Sequence, residues 1–302
     1  MNITRRGFVK GTLAATAFSL MPRGAFADDL KPALRIRKAA EFSMVSLPPD
    51  ADDKRPSVLE RFQAIKEAGF EGVEVNSPIP DVSTDQFLAA REKTGLTIHS
   101  VMDPTHWQFR LSDPDEAIRK KGLDVLCQSL RDAKTLGAST VLLVPGRAAD
   151  KDKENYQQVW SRSQEQIRKA IPVAEETGVK IGVEVVWNNF WTKPDEMAKY
   201  LDEINSPFVG AYFDVGNVVK FGIPCAQWVR VLGKRILKLH IKAYSMKRLW
   251  NVKIGEGDEN WPEVVKALGE IGYDGWATAE VNSKSMEELL DVKSRMDRVL
   301  GP

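Results

Sequence analysis

The stretch 176-ETGVKIGVEV-185 decides the fold. A polar helix end closes on Gly178, and an apolar, alternating run begins within two residues. Glycine is favoured just past a helix because it accepts the left-handed backbone that side chains resist. A buried strand directly after it is the helix-to-strand joint of a parallel sheet. The same phrase recurs as 67-EAGFEGVEV-75, 136-LGASTVLLV-144 and 271-IGYDGWATAEV-281.

Working outward, apolar strand candidates fall at 39-AAEFSMV-45, 71-EGVEV-75, 97-TIHSVM-102, 138-ASTVLLV-144, 180-KIGVEVV-186, 208-FVGAYFD-214, 235-RILKLHI-241 and 276-WATAEV-281. Amphipathic segments lie between them, among them 57-SVLERFQAIKEAGF-70, 113-DPDEAIRKKGLDVLCQSLRDAKTLG-137 and 261-WPEVVKALGEIG-272. Asp113 and Pro114 read as the cap and first-turn proline of the second of these, and Gly137 as its end. Eight strand-plus-helix units without a long linker predict an α/β fold, a single-domain (β/α)8 TIM barrel over residues 28–302. A doubly wound sheet is the competing architecture. No glycine-rich phosphate loop follows the first strand, which argues against it.

Residues 1–27 read as a segment apart from the barrel. In 4-TRRGFVKGTLAATAFSL-20 the pair Arg5-Arg6 precedes a short, weakly hydrophobic run, and 25-AFA-27 supplies small residues for cleavage near Ala27. The pattern resembles a twin-arginine export signal and implies a periplasmic mature protein. No run of about twenty apolar residues occurs, so no stable membrane association is expected after export. The 302 residues carry a net charge of +1. That balance lacks the basic footprint of a nucleic-acid partner. The cysteines, Cys127 and Cys225, are too few for a thiolate zinc site and read as free thiols.

In such a barrel, chemistry gathers where strands end and βα loops begin. Four successive strands end in or near Glu184, Asp214, His240 and Glu280, so all four converge on one rim. A lone buried acid is often ion-paired, and a lone histidine is often core. Four at equivalent positions point instead to one divalent cation. Three carboxylates with one imidazole favour Mn²⁺ first, then Mg²⁺ or Co²⁺, with Zn²⁺ and Fe²⁺ also compatible. Such an ion would also supply the positive partner that a buried Asp214 needs.

The segments VEVVWNNF, YFDVGN, LKLHIKAY and ATAEV, with 255-GEGDENWPEVVKALGEIGYDG-275, resemble the xylose-isomerase-like TIM-barrel superfamily of sugar isomerases, epimerases and AP-endonuclease-2-type domains. The likeness runs from about Ala39 to Val299 and is nearest to ketose 3-epimerases of the tagatose/psicose kind and to hydroxypyruvate isomerases. It implies metal ligation by Glu184, Asp214, His240 and Glu280, with Glu184 and Glu280 doubling as acid/base catalysts. The sequence departs from that pattern at Asn217, where several relatives carry histidine, and at Ala243, where many carry an acid.

Proton transfer beside a sugar carbonyl needs a Lewis acid on the oxygens and a base and acid near the carbon. The expected reaction is sugar isomerisation or epimerisation through a cis-enediolate, on an unphosphorylated sugar or keto-sugar. Competing readings are a lyase or hydrolase of 3-keto-glycosides, a keto-sugar dehydratase, and a non-catalytic carbohydrate-binding barrel. A multi-zinc DNA-repair nuclease would need more than three histidines. Expected substrate-binding residues are Glu74, His99, Trp107, Trp187, Asn217, Lys242 and Arg248, with Trp191 as a further stacking candidate. The resemblance also implies a homo-oligomer, since relatives often pair as dimers or tetramers.

Overall fold

A computed structural model describes residues 35–49 and 51–301. The expected export segment, 1–27, lies outside the described residues. Eight strands run β1 (Arg37–Glu41), β2 (Gly72–Asn76), β3 (Thr97–Met102), β4 (Thr140–Leu143), β5 (Lys180–Glu184), β6 (Val209–Asp214), β7 (Ile236–Ile241) and β8 (Trp276–Ala279). Every pairing is parallel, and β1 pairs with β8, Ala40 opposite Ala279, so the sheet closes. A doubly wound sheet would leave two open edges. The predicted (β/α)8 barrel is therefore the observed fold.

Helices follow the strands: α1 (Val58–Glu67), α2 (Thr84–Thr94), α3 (Glu116–Leu136), α4 (Tyr156–Thr177), α5 (Pro194–Ile204), α6 (Val215–Val219), α7 (Cys225–Leu232), α8 (Trp261–Glu270) and α9 (Met286–Leu300). Ser57, Ser83 and Asn155 open their helices with reciprocal capping boxes. Gly137 and Gly178 close α3 and α4 at φ 78° and 71°, the left-handed joints the sequence marks. None of the described helices is long and apolar enough to cross a membrane.

Two expectations shift. The cap of α3 is Asp115, whose carboxylate accepts the Ala117 N–H at 2.8 Å. Asp113 instead accepts the Asp115 N–H at 2.9 Å and the Arg110 guanidinium at 2.6 Å, so Pro114 stands before the helix. Strand β1 stops at Glu41 rather than running to Val45. The Glu41 carboxylate accepts the Ser43 N–H and hydroxyl and winds Phe42–Met44 into a 3-10 turn.

Alternation along each strand sorts the two layers. Val73, Val141, Val183, Phe213 and Leu239 join the apolar layer beneath the helices, with Phe62 of α1 and Trp228 of α7. The alternate positions send Glu74, Tyr212, His240 and Thr278 into the barrel, where they meet one another. Burying that many polar groups demands mutual hydrogen bonding. Cys127 is half-buried and Cys225 buried, and both are free thiols, as expected.

Candidate metal centre

Glu184 and Asp214 are the last residues of β5 and β6, and His240 is the penultimate residue of β7. Glu280 stands one residue past β8, where its N–H still donates to Ile241 O at 3.0 Å. One ligand atom from each of the four lies within 4.8 Å of the others. His240 Nδ1 faces Glu280 Oε2 at 3.1 Å and Glu184 Oε1 at 3.3 Å. Asp214 and His240 are fully buried, whereas the Glu280 side chain is 20% exposed. Glu280 is thus the most solvent-accessible member of the cluster.

Lys242 lies beside them, its Nζ 2.8 Å from Asp214 Oδ2 and 2.7 Å from Glu280 Oε2. Gly216 makes room for it: a Cβ there would stand 2.8 Å from Lys242 Cγ. Two more acids bear on the group from β1 and β2, Glu41 and Glu74, both buried. Glu41 Oε2 has no hydrogen-bond partner among the described residues.

Five carboxyl groups thus crowd around one imidazole and one ammonium, and the titration shifts record the strain. Burial, with Lys242 partly offsetting it, pushes Asp214 up to about 7. Burial also raises Glu41 to about 7 and raises Glu184. Burial opposes the charge on Glu280 as well, yet hydrogen bonds from His240 and Lys242 hold it well below the usual carboxylate range. His240 is held well above its ordinary value by Glu74 and the flanking acids, against the effect of burial. A further positive charge would relieve this excess of acid. The donor set of three carboxylates and one imidazole, the unpartnered Glu41 oxygen and the mutual 4.8 Å spacing fit a divalent cation.

The residues expected to touch substrate divide. Lys242 lines a hollow of about 500 Å³ with Glu280, Trp250, Asn282 and Lys284. Trp187 stands in an aromatic wall, its ring 4.9 Å from Tyr244 and 4.7 Å from Trp250. Trp107 is exposed on the β3–α3 loop. Arg248 lies in the β7–α8 loop and donates to Glu256 O at 2.9 Å. The others have partners inside the protein. Glu74 accepts from His240 and Tyr212, and His99 stacks on Trp276 at 4.7 Å with Nε2 3.0 Å from Thr278 Oγ1. Both point into the barrel and are buried. Asn217 donates its amide to Val185 O at 3.1 Å and its N–H to Asp214 Oδ1 at 2.9 Å, tying β5 to β6. Trp191 is fully buried against Phe190 and Tyr200 and belongs to the core.

Sequence reasoning missed Glu41, Tyr212, Trp250 and His106. His106 follows β3, is buried, and carries an Nδ1 without a partner among the described residues. Burial lowers it to about 4, while Glu280 across the mouth acts the other way. No periodicity marks a loop residue, so only the scarcity of histidine could have singled it out.

Glu259, under the aromatic wall, gives a clean titration test. Its Oε1 accepts the Tyr244 N–H at 2.6 Å, and burial raises its pKa from 4.5 to about 7. The folded chain then holds this proton more tightly than the unfolded one, so the wild type loses stability as pH rises through that window. Glu259→Gln mimics the protonated form. Its stability relative to wild type is expected to climb by on the order of 2 kcal/mol between pH 4.5 and 7 in urea titrations, and then level off.

Barrel closure and an acid–histidine cluster at the strand ends define the class of protein. The chain belongs to the xylose isomerase-like TIM barrel family, which it matches over residues 62–298. It is 22% identical over 240 residues to L-ribulose-5-phosphate 3-epimerase UlaE of Escherichia coli K12, covering 76% of this chain and 84% of that protein. Its fold is similar to D-psicose 3-epimerase of Clostridium cellulolyticum H10, with a TM-score of 0.71 and 20% identity over 88% of this chain and 100% of that one. It is also similar to the 3-keto-D-glucoside 4-epimerase YcjR of E. coli, with a TM-score of 0.72 and 15% identity over 88% and 99% of the two chains.

Proposed function

We propose that the chain is a divalent-metal-dependent sugar isomerase or epimerase acting on an unphosphorylated sugar or keto-sugar. The observation that carries this reading is the pair Glu184 and Glu280. They approach His240 Nδ1 from β5 and β8, the strands that flank β6 and β7, with Asp214 in the same cluster. Glu184, Asp214, His240 and Glu280 would hold the ion, with Mn²⁺ the best match to the donor set. When bound, it supplies Lewis acidity to a sugar carbonyl and the neighbouring hydroxyl.

The remaining work falls to the chain's own side chains. Glu280, facing the hollow beside Lys242 and Trp250, is placed to exchange a proton with a carbon next to the carbonyl. Glu184 does the same from the other side, so that a cis-enediolate is protonated on either face. Lys242 offers an ammonium to a substrate oxygen, and Trp187 with Trp250 offers an aromatic face to the ring. The named activities of the similar epimerases support the reading. The test is wild-type protein incubated in D₂O with ketoses and 3-keto-glycosides. Deuterium entering beside the carbonyl supports it, and no exchange with any of them overturns it.

A second reading on the same centre is elimination or hydrolysis of a 3-keto-glycoside. A hollow of about 820 Å³ beside β1, lined by Phe42, Ser43, Arg61 and Asn76, favours it by leaving room for a group attached to the sugar. Release of that group, rather than inversion of a carbon, would distinguish the two. Arg5-Arg6 and 25-AFA-27 support twin-arginine export to the periplasm, which in turn supports an unphosphorylated substrate. The mature N-terminus is expected near Asp28, read by N-terminal sequencing. A full-length chain in the cytoplasm would overturn export.

A further inference from the structure

We infer that Glu74 and Tyr212 form a clamp that selects which nitrogen of His240 faces the metal centre, an inference that rests on the metal-centre reading above. His240 Nε2 lies 2.8 Å from Glu74 Oε1, while Nδ1 points at Glu184 and Glu280. An ionised carboxylate only accepts hydrogen bonds, so it fixes the imidazole proton on Nε2. With an ion bound, Nδ1 would then be the nitrogen left free to ligate it beside Glu184 and Glu280. Without Glu74, either nitrogen could carry the proton, and one of the two tautomers would aim its N–H at the ion.

Glu74 is itself held. Its Oε2 receives the Tyr212 hydroxyl, which continues to Thr278 Oγ1 at 3.4 Å and from there to His99 Nε2 at 3.0 Å. The Tyr212 ring also packs edge-on against the His240 ring, centroids 4.7 Å apart at 62°, which limits its rotation. Glu74, Tyr212 and His240 are all fully buried, so water cannot replace a lost partner. The chain crosses the barrel interior from β3 through β8, β6 and β2 to β7, and His99, stacked on Trp276, anchors its far end. Glu74 and Tyr212 are therefore positioning residues: they act on the centre through His240. A carboxylate behind a ligating histidine is a general means of fixing its orientation and basicity.

The experiment uses full-length mature protein and Zn²⁺, with affinity read by competition against a chromophoric chelator. Histidine ¹⁵N–¹H NMR of the Zn²⁺-loaded protein reads the ring nitrogens. Wild type is expected to show His240 with its proton on Nε2 and the ion on Nδ1. Glu74→Leu should bind Zn²⁺ about 10–100-fold more weakly. Glu74→Gln keeps a carbonyl oxygen as acceptor and should recover most of the loss. Should Glu74→Leu not fold, Tyr212→Phe removes one hydroxyl only and should weaken binding several-fold. Equal affinity across these variants, or a proton on Nδ1 with the ion on Nε2, overturns the clamp alone. A wild type that takes up neither Zn²⁺ nor Mn²⁺ overturns the metal-centre reading and the clamp with it.

Discussion

In Glu280→Gln, deuterium exchange from D₂O into a bound keto-sugar is expected to fall on the order of 10²–10⁴-fold, the usual contribution of a positioned acid or base. The substitution keeps the side chain's shape and one oxygen. Lys242 retains its second partner, Asp214 Oδ2 at 2.8 Å, so the ammonium is not stranded. His240 retains Glu184 and Glu74. The fold should therefore survive, with the far-ultraviolet circular dichroism spectrum unchanged. What disappears is a carboxylate that its two cationic neighbours keep ionised and that is the most solvent-open of the four clustered residues. Loss of the ion would mimic this result, so metal content is measured on the same sample. Three ligands should retain it. Wild-type exchange in the variant would remove the two-glutamate mechanism. Lost exchange in a metal-free variant would assign Glu280 to ligation rather than proton transfer.

The four clustered residues were legible for a physical reason. A strand that ends in an acid or histidine breaks its own apolar pattern, and parallel strands in a barrel bring all such breaks to one rim. The partners of inward residues across the barrel were not legible. Period-2 alternation tells that Glu74 and His99 point inward, but not that they meet His240, Tyr212 and Thr278, because bulges near Glu74 and Tyr212 shift the register between neighbouring strands. Glu41 was hidden for another reason. It lies within an apolar run that reads as one strand to Val45, and its own carboxylate ends the strand early by capping Ser43. Asn217 differs in another way, since a polar residue just past Asp214 reads as a substrate contact in the sequence. Its amide and backbone also hold the ends of β5 and β6 together, a role that only the fold reveals.

The second large effect concerns the ion. Asp214 and His240 are the two fully buried members of the proposed ligand set, with nowhere to turn for solvent. Replacing both should abolish binding while leaving Glu184 and Glu280 in place. Asp214 also caps α6 through the Asn217 N–H, a contact of about 1 kcal/mol whose loss alone would lower stability. Asp214→Asn/His240→Gln is therefore preferable to a double alanine, because the asparagine oxygen still accepts that N–H. Elemental analysis is expected to find about one divalent ion per wild-type chain and background levels in the variant. Weakly held Mg²⁺ can escape purification, so thermal stability is followed as each ion is added. At a hundredfold excess over Kd a bound ion stabilises by about 2.7 kcal/mol. The wild type should gain that increment and the variant should not. A variant that keeps its ion places the metal elsewhere on the chain. A wild type stabilised by none of Mn²⁺, Mg²⁺, Co²⁺, Zn²⁺ or Fe²⁺ leaves the buried acids without a cation. The enolisation chemistry then fails, and the barrel is better read as a carbohydrate binder whose acids serve as hydrogen-bond acceptors for sugar hydroxyls.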